Sequence, residues 1–358
     1  MSGERPERLR ELIAEESLDA LIVDGAANLR YLTGYTGSNA LALLRADGSG
    51  QLFTDFRYAA QVAEEVGEAF ECQVVAGDLL EALARSLTGG RVGFDDARTT
   101  VRRRATLGEL ASPTVELVAV AGLVERLRAV KDEHEIAAIA AAATLIDELF
   151  GWLFAQRLDG RSERELAITL EHEMRLRGAS APSFGSIVAG GAHAALPHAQ
   201  PRDAPIKRGS LVTFDVGALL DGYCSDCTRT VAVGDPGEQA REIYAIVLAA
   251  QLAGLDAIAP GVRGREADAR ARAVIDEAGY GESFGHGLGH GVGLEIHEAP
   301  RLARTGGEEP LRAGNVVTVE PGIYLPGELG VRIEDLIVVR QEGAQILSSF
   351  TKELLVLD

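Results

Sequence analysis

Leu211-Val-Thr-Phe-Asp-Val-Gly-Ala-Leu-Leu-Asp-Gly-Tyr-Cys-Ser-Asp-Cys-Thr-Arg-Thr-Val231 reads as a hairpin with two strand-forming arms. The first arm alternates: Val212, Phe214 and Val216 face one way, and Thr213, Asp215 and Gly217 the other. Leu220, Asp221 and Gly222 supply the turn. Two registers are open. With Leu220-Asp221 as the loop, Asp215 sits opposite Asp226. With Asp221-Gly222 as the loop, the register moves by two and the carboxylates become diagonal neighbours on one face. In either case their Cβ atoms lie roughly 5–8 Å apart. Two anions that close, on a face that also reads as buried, repel strongly unless a cation lies between them.

The 358 residues are long for one domain, so two are expected, with the boundary in the charged stretch Glu125-Arg-Leu-Arg-Ala-Val-Lys-Asp-Glu-His-Glu135. The predicted domains are 1–124 and 125–358. Hydrophobic content of 46% and charged content of 25% are those of a soluble globular protein. A net charge of −19 argues against a nucleic-acid partner, which needs a basic face. Cys72, Cys224 and Cys227 form no disulfide framework and suit a reducing compartment. Met1-Ser-Gly-Glu-Arg-Pro-Glu-Arg8 has no apolar signal core, and no stretch approaches the roughly 20 apolar residues that cross a bilayer. The expectation is a cytoplasmic protein with no membrane partner.

Residues 5–17 read as an amphipathic helix carrying Leu9, Leu12 and Ile13. Short strands are expected at 20–23, 41–44, 51–54, 72–75 and 91–94, with helices at 58–68 and 79–87. That alternation predicts an α/β first domain. A long helical region covers 123–157, and Ser162-Glu-Arg-Glu165 reads as a capping box for a helix ending at Gly178. After a strand at 186–189 and the central hairpin, helices are predicted at 238–258 and 265–278. A second hairpin pairs 316–320 with 331–339. Helices segregated from a mostly antiparallel sheet predict an α+β second domain.

The densest histidine stretch is His286-Gly-Leu-Gly-His290-Gly-Val-Gly-Leu-Glu-Ile-His297-Glu298. Alternate glycines let the backbone approach closely and leave room for the imidazoles. The glycine spacing lacks the strand-turn-helix context of a nucleotide loop. Val317-Thr-Val-Glu320-Pro-Gly and Val331-Arg-Ile-Glu334-Asp each place a glutamate in an apolar strand, where an isolated carboxylate is expensive to bury. Asp215, Asp226, His290, Glu320 and Glu334 are therefore read as one site. Four carboxylates and a neutral imidazole nearly balance two divalent cations, and a bridging hydroxide completes the count. This donor set suits manganese, cobalt, iron or zinc rather than copper. Two such ions roughly 3.5–4 Å apart turn water into a nucleophile and polarise a carbonyl.

With these motifs in place the chain resembles the pita-bread metallopeptidases (M24), in the branch of proline dipeptidase (prolidase) and aminopeptidase P. Asn28-Leu-Arg-Tyr-Leu-Thr-Gly-Tyr-Thr-Gly-Ser-Asn39 and Thr54-Asp-Phe-Arg-Tyr58 resemble the family's creatinase-like N-terminal domain, and Arg128-Ala-Val-Lys131 with Glu135 the start of its catalytic domain. The resemblance implies that Asp215 binds one metal, that His290 and Glu320 bind the other, and that Asp226 and Glu334 bridge them. The expected cofactor is two divalent ions, manganese first, with cobalt, zinc or iron as alternatives. It implies catalytic roles for His198, in Ala195-Leu-Pro-His-Ala199, for His297 and for Glu320, which manages the proton of the attacking water. It places His286, Tyr324 and Arg332 around the pocket and gives Arg301 the substrate's free carboxylate. Proline-containing di- or oligopeptides are the expected substrates, and a homodimer the expected assembly.

Some features carry plainer readings. In Cys224-Ser-Asp-Cys227, residues three apart on a strand face opposite ways, so packing is favoured over zinc or redox chemistry. His134 and His172 lie in charged helical segments and read as solvent-facing. For His193, where the family often has a small or amide side chain, a structural role is favoured. Arg332 reads equally as a structural partner for carboxylates, and Arg301 equally as a surface residue. The leading activity is an Xaa-Pro dipeptidase, and its rival an Xaa-Pro aminopeptidase on longer peptides. A methionine aminopeptidase would not need the first 120 or so residues. Creatinase lacks the full carboxylate set, and a non-catalytic pita-bread binding module would typically have lost ligands.

Overall fold

The computed structural model describes residues 4–358. The chain divides into two compact units, Met1–Arg128 and Ala129–Asp358.

The first unit is built on a six-stranded sheet. Its order is Phe70–Val75, Gly50–Asp55, Ala40–Arg45, Ala20–Val23, Gly90–Asp95, Val115–Val120. Ala40–Arg45 is antiparallel to both neighbours, and the remaining pairs are parallel. Parallel neighbours need crossovers, and the helices Ala59–Glu65 and Val101–Leu110 supply those from Gly50–Asp55 to Phe70–Val75 and from Gly90–Asp95 to Val115–Val120. Leu41, Leu43, Phe53, Leu83 and Leu107 meet in its core. Sequence reading missed three elements here: the helix Ala26–Thr33, the helix Val101–Leu110 and the strand Val115–Val120. The second helix buries only Leu107, so it has no apolar stripe to read.

The expected helical region 123–157 is two helices, Leu123–Arg128 and Glu133–Phe154. The break follows from hydrogen bonding. The Lys131 amide donates to the Gly314 carbonyl instead of continuing the helix. Asp132 then caps the new helix, with Glu135 returning the bond to the Asp132 amide. The helix Glu133–Phe154 is long and apolar enough to cross a membrane by length and composition, contrary to expectation. It is packed against two clusters instead: Ile136 and Ile139 in one, Ile146, Leu149, Phe150 and Leu153 in the other. A helix covered on several sides is apolar over more than one stripe.

The second unit is α+β. A four-stranded sheet (Val356–Leu357, Cys227–Val233, Ser210–Val216, Ile187–Gly190) packs under the helices Glu133–Phe154 and Glu163–Leu176. A five-stranded sheet (Glu298–Leu302, Gly289–Gly291, Val316–Val319, Asp335–Arg340, Gly343–Ile346) packs under Glu238–Asp256 and Gly264–Glu277. The central hairpin adopts the second of its two registers: Leu220 pairs with Tyr223, and Asp215 with Thr228. Asp221 and Gly222 both have positive φ, 46° and 76°, as a two-residue primed turn requires.

The second predicted hairpin needs correction. Val316–Val319 pairs with Asp335–Arg340, but Leu329–Arg332 turns back onto Gly322–Leu325 in a separate two-stranded sheet. Pro321 has no amide to continue the first ladder. Glu320 and Glu334 therefore fall just beyond strand ends. The Glu320 amide donates to the Leu288 carbonyl and the Glu334 amide to that of Thr228.

Candidate metal centre

The candidate ligands stand on or beside different strands. Asp215 and Asp226 project from the same face of the central hairpin, as diagonal neighbours. Glu334 joins them from beyond Leu329–Arg332, and ligand oxygens of Asp215, Asp226 and Glu334 lie within 4.8 Å of one another. His290 stands on Gly289–Gly291, a strand that depends on its glycines. A Cβ on Gly289 would sit 2.0 Å from the Thr318 carbonyl oxygen, and one on Gly291 2.3 Å from that of Ala299. His290 Nδ1 lies 3.1 Å from the Gly291 carbonyl, an acceptor, which puts the ring proton on Nδ1. Nε2 then presents a lone pair to Glu320 Oε1 at 3.4 Å and Asp226 Oδ2 at 3.6 Å.

This convergence of acceptors is short of positive charge. Asp215 Oδ1, Asp226 Oδ1 and Glu334 Oε1 are buried and have no hydrogen-bond partner. Native proteins rarely leave such atoms unsatisfied. Burial, then the charges of Glu334, Asp215 and Glu320, pushes the Asp226 carboxyl well above the ordinary range. Burial, then Glu320 and Asp215, does the same to Glu334. Burial also raises the Glu320 carboxyl and lowers the His290 imidazole, leaving the latter neutral and able to ligate. Orphaned oxygens, raised carboxyls and a free imidazole lone pair fit a site built for divalent cations.

Two hydroxyls missed in the sequence hold the ligands. Thr318 Oγ1 accepts the His290 amide at 3.1 Å and donates to Glu320 Oε1 at 3.0 Å. Thr228 Oγ1 donates to Glu334 Oε2 at 2.7 Å and accepts from Arg332 Nε at 3.1 Å. Period two was the available signal: Thr318 is two residues before Glu320, and Thr228 two after Asp226. Such supporting bonds orient metal ligands.

The residues expected around the pocket separate into two groups. The half-buried His286 and the buried Tyr324 and Arg332 form a chain. His286 Nε2 lies 2.8 Å from the Tyr324 hydroxyl, which accepts from Arg332 Nη1 at 2.8 Å. Arg332 Nη2 donates to Asp215 Oδ2 at 2.6 Å. The Arg332 guanidinium is thus committed to protein acceptors, including the Pro197 carbonyl at 3.3 Å. His198, His297 and Arg301 are exposed. The His297 ring packs edge-on to His290, with centroids 4.4 Å apart. Burial, then His290, His198 and Arg301, lowers the His297 imidazole. Arg301 is the register partner of His290.

His134 and His172 are exposed. Cys224 and Cys227 are buried and contribute to different core clusters. His193 is buried with Nδ1 2.8 Å from Glu163 Oε2.

A mixed α/β unit followed by an α+β unit whose strand ends converge carboxylates and one imidazole defines a two-domain pita-bread metallopeptidase. The chain belongs to metallopeptidase family M24, whose model matches residues 135–341, while the creatinase/prolidase N-terminal domain matches residues 5–130. Enzymes of this family depend on a dinuclear metal centre. Among relatives, the chain is 42% identical to the uncharacterized peptidase YqhT of Bacillus subtilis, covering 98% of this chain and 99% of the other. An Xaa-Pro dipeptidase from Bacillus anthracis superposes with a TM-score of 0.95 at 40% identity, over 100% of both chains. An X-Pro aminopeptidase from Thermotoga maritima superposes at 0.89 and 34% identity, over 98% of this chain and 100% of the other.

Proposed function

We propose that this metallopeptidase is an Xaa-Pro dipeptidase that uses manganese. The observation that carries the dipeptide reading is Arg301, an exposed guanidinium register-paired with the candidate ligand His290. A dipeptide ends in a carboxylate immediately after proline, and a guanidinium binds such a group bidentately. The similarity to the Bacillus anthracis dipeptidase supports the same reading.

Asp215, Asp226, His290, Glu320 and Glu334 would hold the two cations. When bound, these polarise the scissile carbonyl and make water nucleophilic near neutral pH. The chain's own groups do the rest. Glu320, fixed by Thr318 through Oε1 and raised by burial, takes the proton of the attacking water and returns it to the leaving proline nitrogen. The imidazoles of His198 and His297 donate to the oxyanion that develops on the carbonyl oxygen. Arg332 holds Asp215 and so keeps one ligand in register.

Aminopeptidase action on longer peptides is the second reading, favoured by the similarity to the Thermotoga maritima enzyme. The test is kcat/KM of wild type and Arg301→Ala on an Xaa-Pro dipeptide and its amidated counterpart. A charge-assisted bond worth about 1.5–3 kcal/mol corresponds to a loss of roughly one to two powers of ten, confined to the free dipeptide. Arg301→Lys should fall between. An equal or absent effect on both substrates removes the case for a dipeptidase. A homodimer in the cytoplasm completes the proposal. Three free cysteines, one of them the exposed Cys72, support a reducing compartment.

A further inference from the structure

Ser162-Glu-Arg-Glu165 reads in the sequence as a capping box, and Ser162 does accept the Glu165 amide. Glu163, however, is 1% exposed. Its carboxylate gathers donors from far along the chain. Oε1 accepts the Gly190 amide at 3.0 Å, and Oε2 accepts the Arg202 amide at 3.0 Å. Between them, His193 Nδ1 lies 3.0 Å from Oε1 and 2.8 Å from Oε2. The Arg202 guanidinium adds longer contacts at 3.3 and 3.4 Å. One buried carboxylate thus closes both ends and the middle of the segment 190–202. The tip of that segment carries Pro197, whose carbonyl accepts from Arg332, and His198. Arg332 in turn holds Asp215. The loop is therefore fastened at its base to Glu163 and at its tip to the support of a candidate ligand.

We propose that Glu163, with His193 and Arg202, is a clasp that positions His198 over the metal centre. Glu163 is a positioning residue, and the proposal rests on the reading of His198 as an oxyanion donor. A carboxylate suits the task because it accepts from several directions at once, whereas an apolar anchor would leave the Gly190 and Arg202 amides unsatisfied. Displacing a catalytic group by about 1 Å can cost roughly a hundredfold in rate.

The experiment is a double-mutant cycle of Glu163→Gln and His198→Ala in the full-length, manganese-loaded protein. It reads kcat and KM on an Xaa-Pro dipeptide, together with metal content. Glu163→Gln should lower kcat by roughly ten- to a hundredfold with KM and bound metal little changed. In the His198→Ala background the same change should cost less than about threefold, because the group it positions is gone. Arg202→Ala, at a side chain 54% exposed, should fold even if Glu163→Gln does not. It should show a smaller kcat loss, suppressed in the same way. In imidazole NMR of the metal-free protein, Glu163→Gln should shift or broaden the His198 resonance while His134 and His172 stay put. Equal kcat losses in both backgrounds, or an unchanged kcat, overturn the clasp. If His198→Ala keeps wild-type kcat, the reading of His198 falls first, and the proposal with it.

Discussion

Replacing Arg332 with methionine separates two roles that the sequence left equal. The side chain is 4% exposed and donates to Asp215, Thr228, Tyr324 and the Pro197 carbonyl. Arg332→Met keeps the stem but takes the guanidinium away from Asp215 Oδ2 and leaves that carboxylate beside Asp226, Glu320 and Glu334. Removing one partner of a buried pair costs about 3–5 kcal/mol. At roughly 2–4 °C per kcal/mol for a unit of this size, the metal-free Tm should fall by about 6–20 °C. Saturating manganese should recover most of that loss, because bound cations take over the charge of Asp215. Thermal melts of wild type and variant, in chelator and in manganese, give the four values needed, and kcat/KM on an Xaa-Pro dipeptide completes the set. A substrate-binding guanidinium would behave differently: metal-free melting would stay within about 2 °C of wild type while KM rose. That result would refute the structural assignment.

Three further outcomes follow from the same geometry. Asp226→Ala should lose more metal than Asp215→Ala on elemental analysis, since the former is expected to serve both ions, and equal losses would remove the bridging role. The carboxyls of Asp226, Glu320 and Glu334 are raised in the metal-free fold, which therefore binds protons more tightly than the unfolded chain. Their contribution is fully present below about pH 4 and is lost as pH rises through the raised values. The gap in Tm between manganese-loaded and chelated protein should accordingly widen from about pH 5 to neutrality, and a pH-independent gap would contradict the shifts. In the first unit, Asp55 accepts from Arg57 and Asn39, and Ser38 bonds Tyr58, so the two family-like segments form one surface. That surface is the expected dimer contact, and a fully active monomer by light scattering would exclude it.

Much of the molecule follows from local pattern. The apolar runs Ala20–Val23 and Ala40-Leu-Ala-Leu-Leu44, and the strand-forming Gln51-Leu-Phe-Thr54 across the turn Ala46-Asp-Gly-Ser-Gly50, mark three strands of the first sheet. A buried strand must be apolar, and a turn needs residues that tolerate its dihedrals. Four of the five candidate ligands, Asp215, Asp226, Glu320 and Glu334, were read for a related reason: a carboxylate within an apolar strand pattern is too costly to leave without a counter-charge, whereas His290 was read from its glycine-rich histidine stretch. The central hairpin shows where local pattern ends. Both registers put Asp215 and Asp226 on one face, and only the fold selects the diagonal one, through the Asp221-Gly222 turn and the ladder from Val216–Cys227 to Ser210–Val233. Period two cannot distinguish a slip of two residues.

What tertiary structure alone decided are the long-range partners. The helix break before Glu133 depends on Gly314, and the burial of Glu163 on Gly190, His193 and Arg202. Arg332 looked equally suited to substrate or scaffold until Asp215, Thr228, Tyr324 and Pro197 closed around it. The hydrogen-bonding capacity of a side chain is written in its residue type, but which atoms satisfy it depends on chain segments that meet only when the core closes.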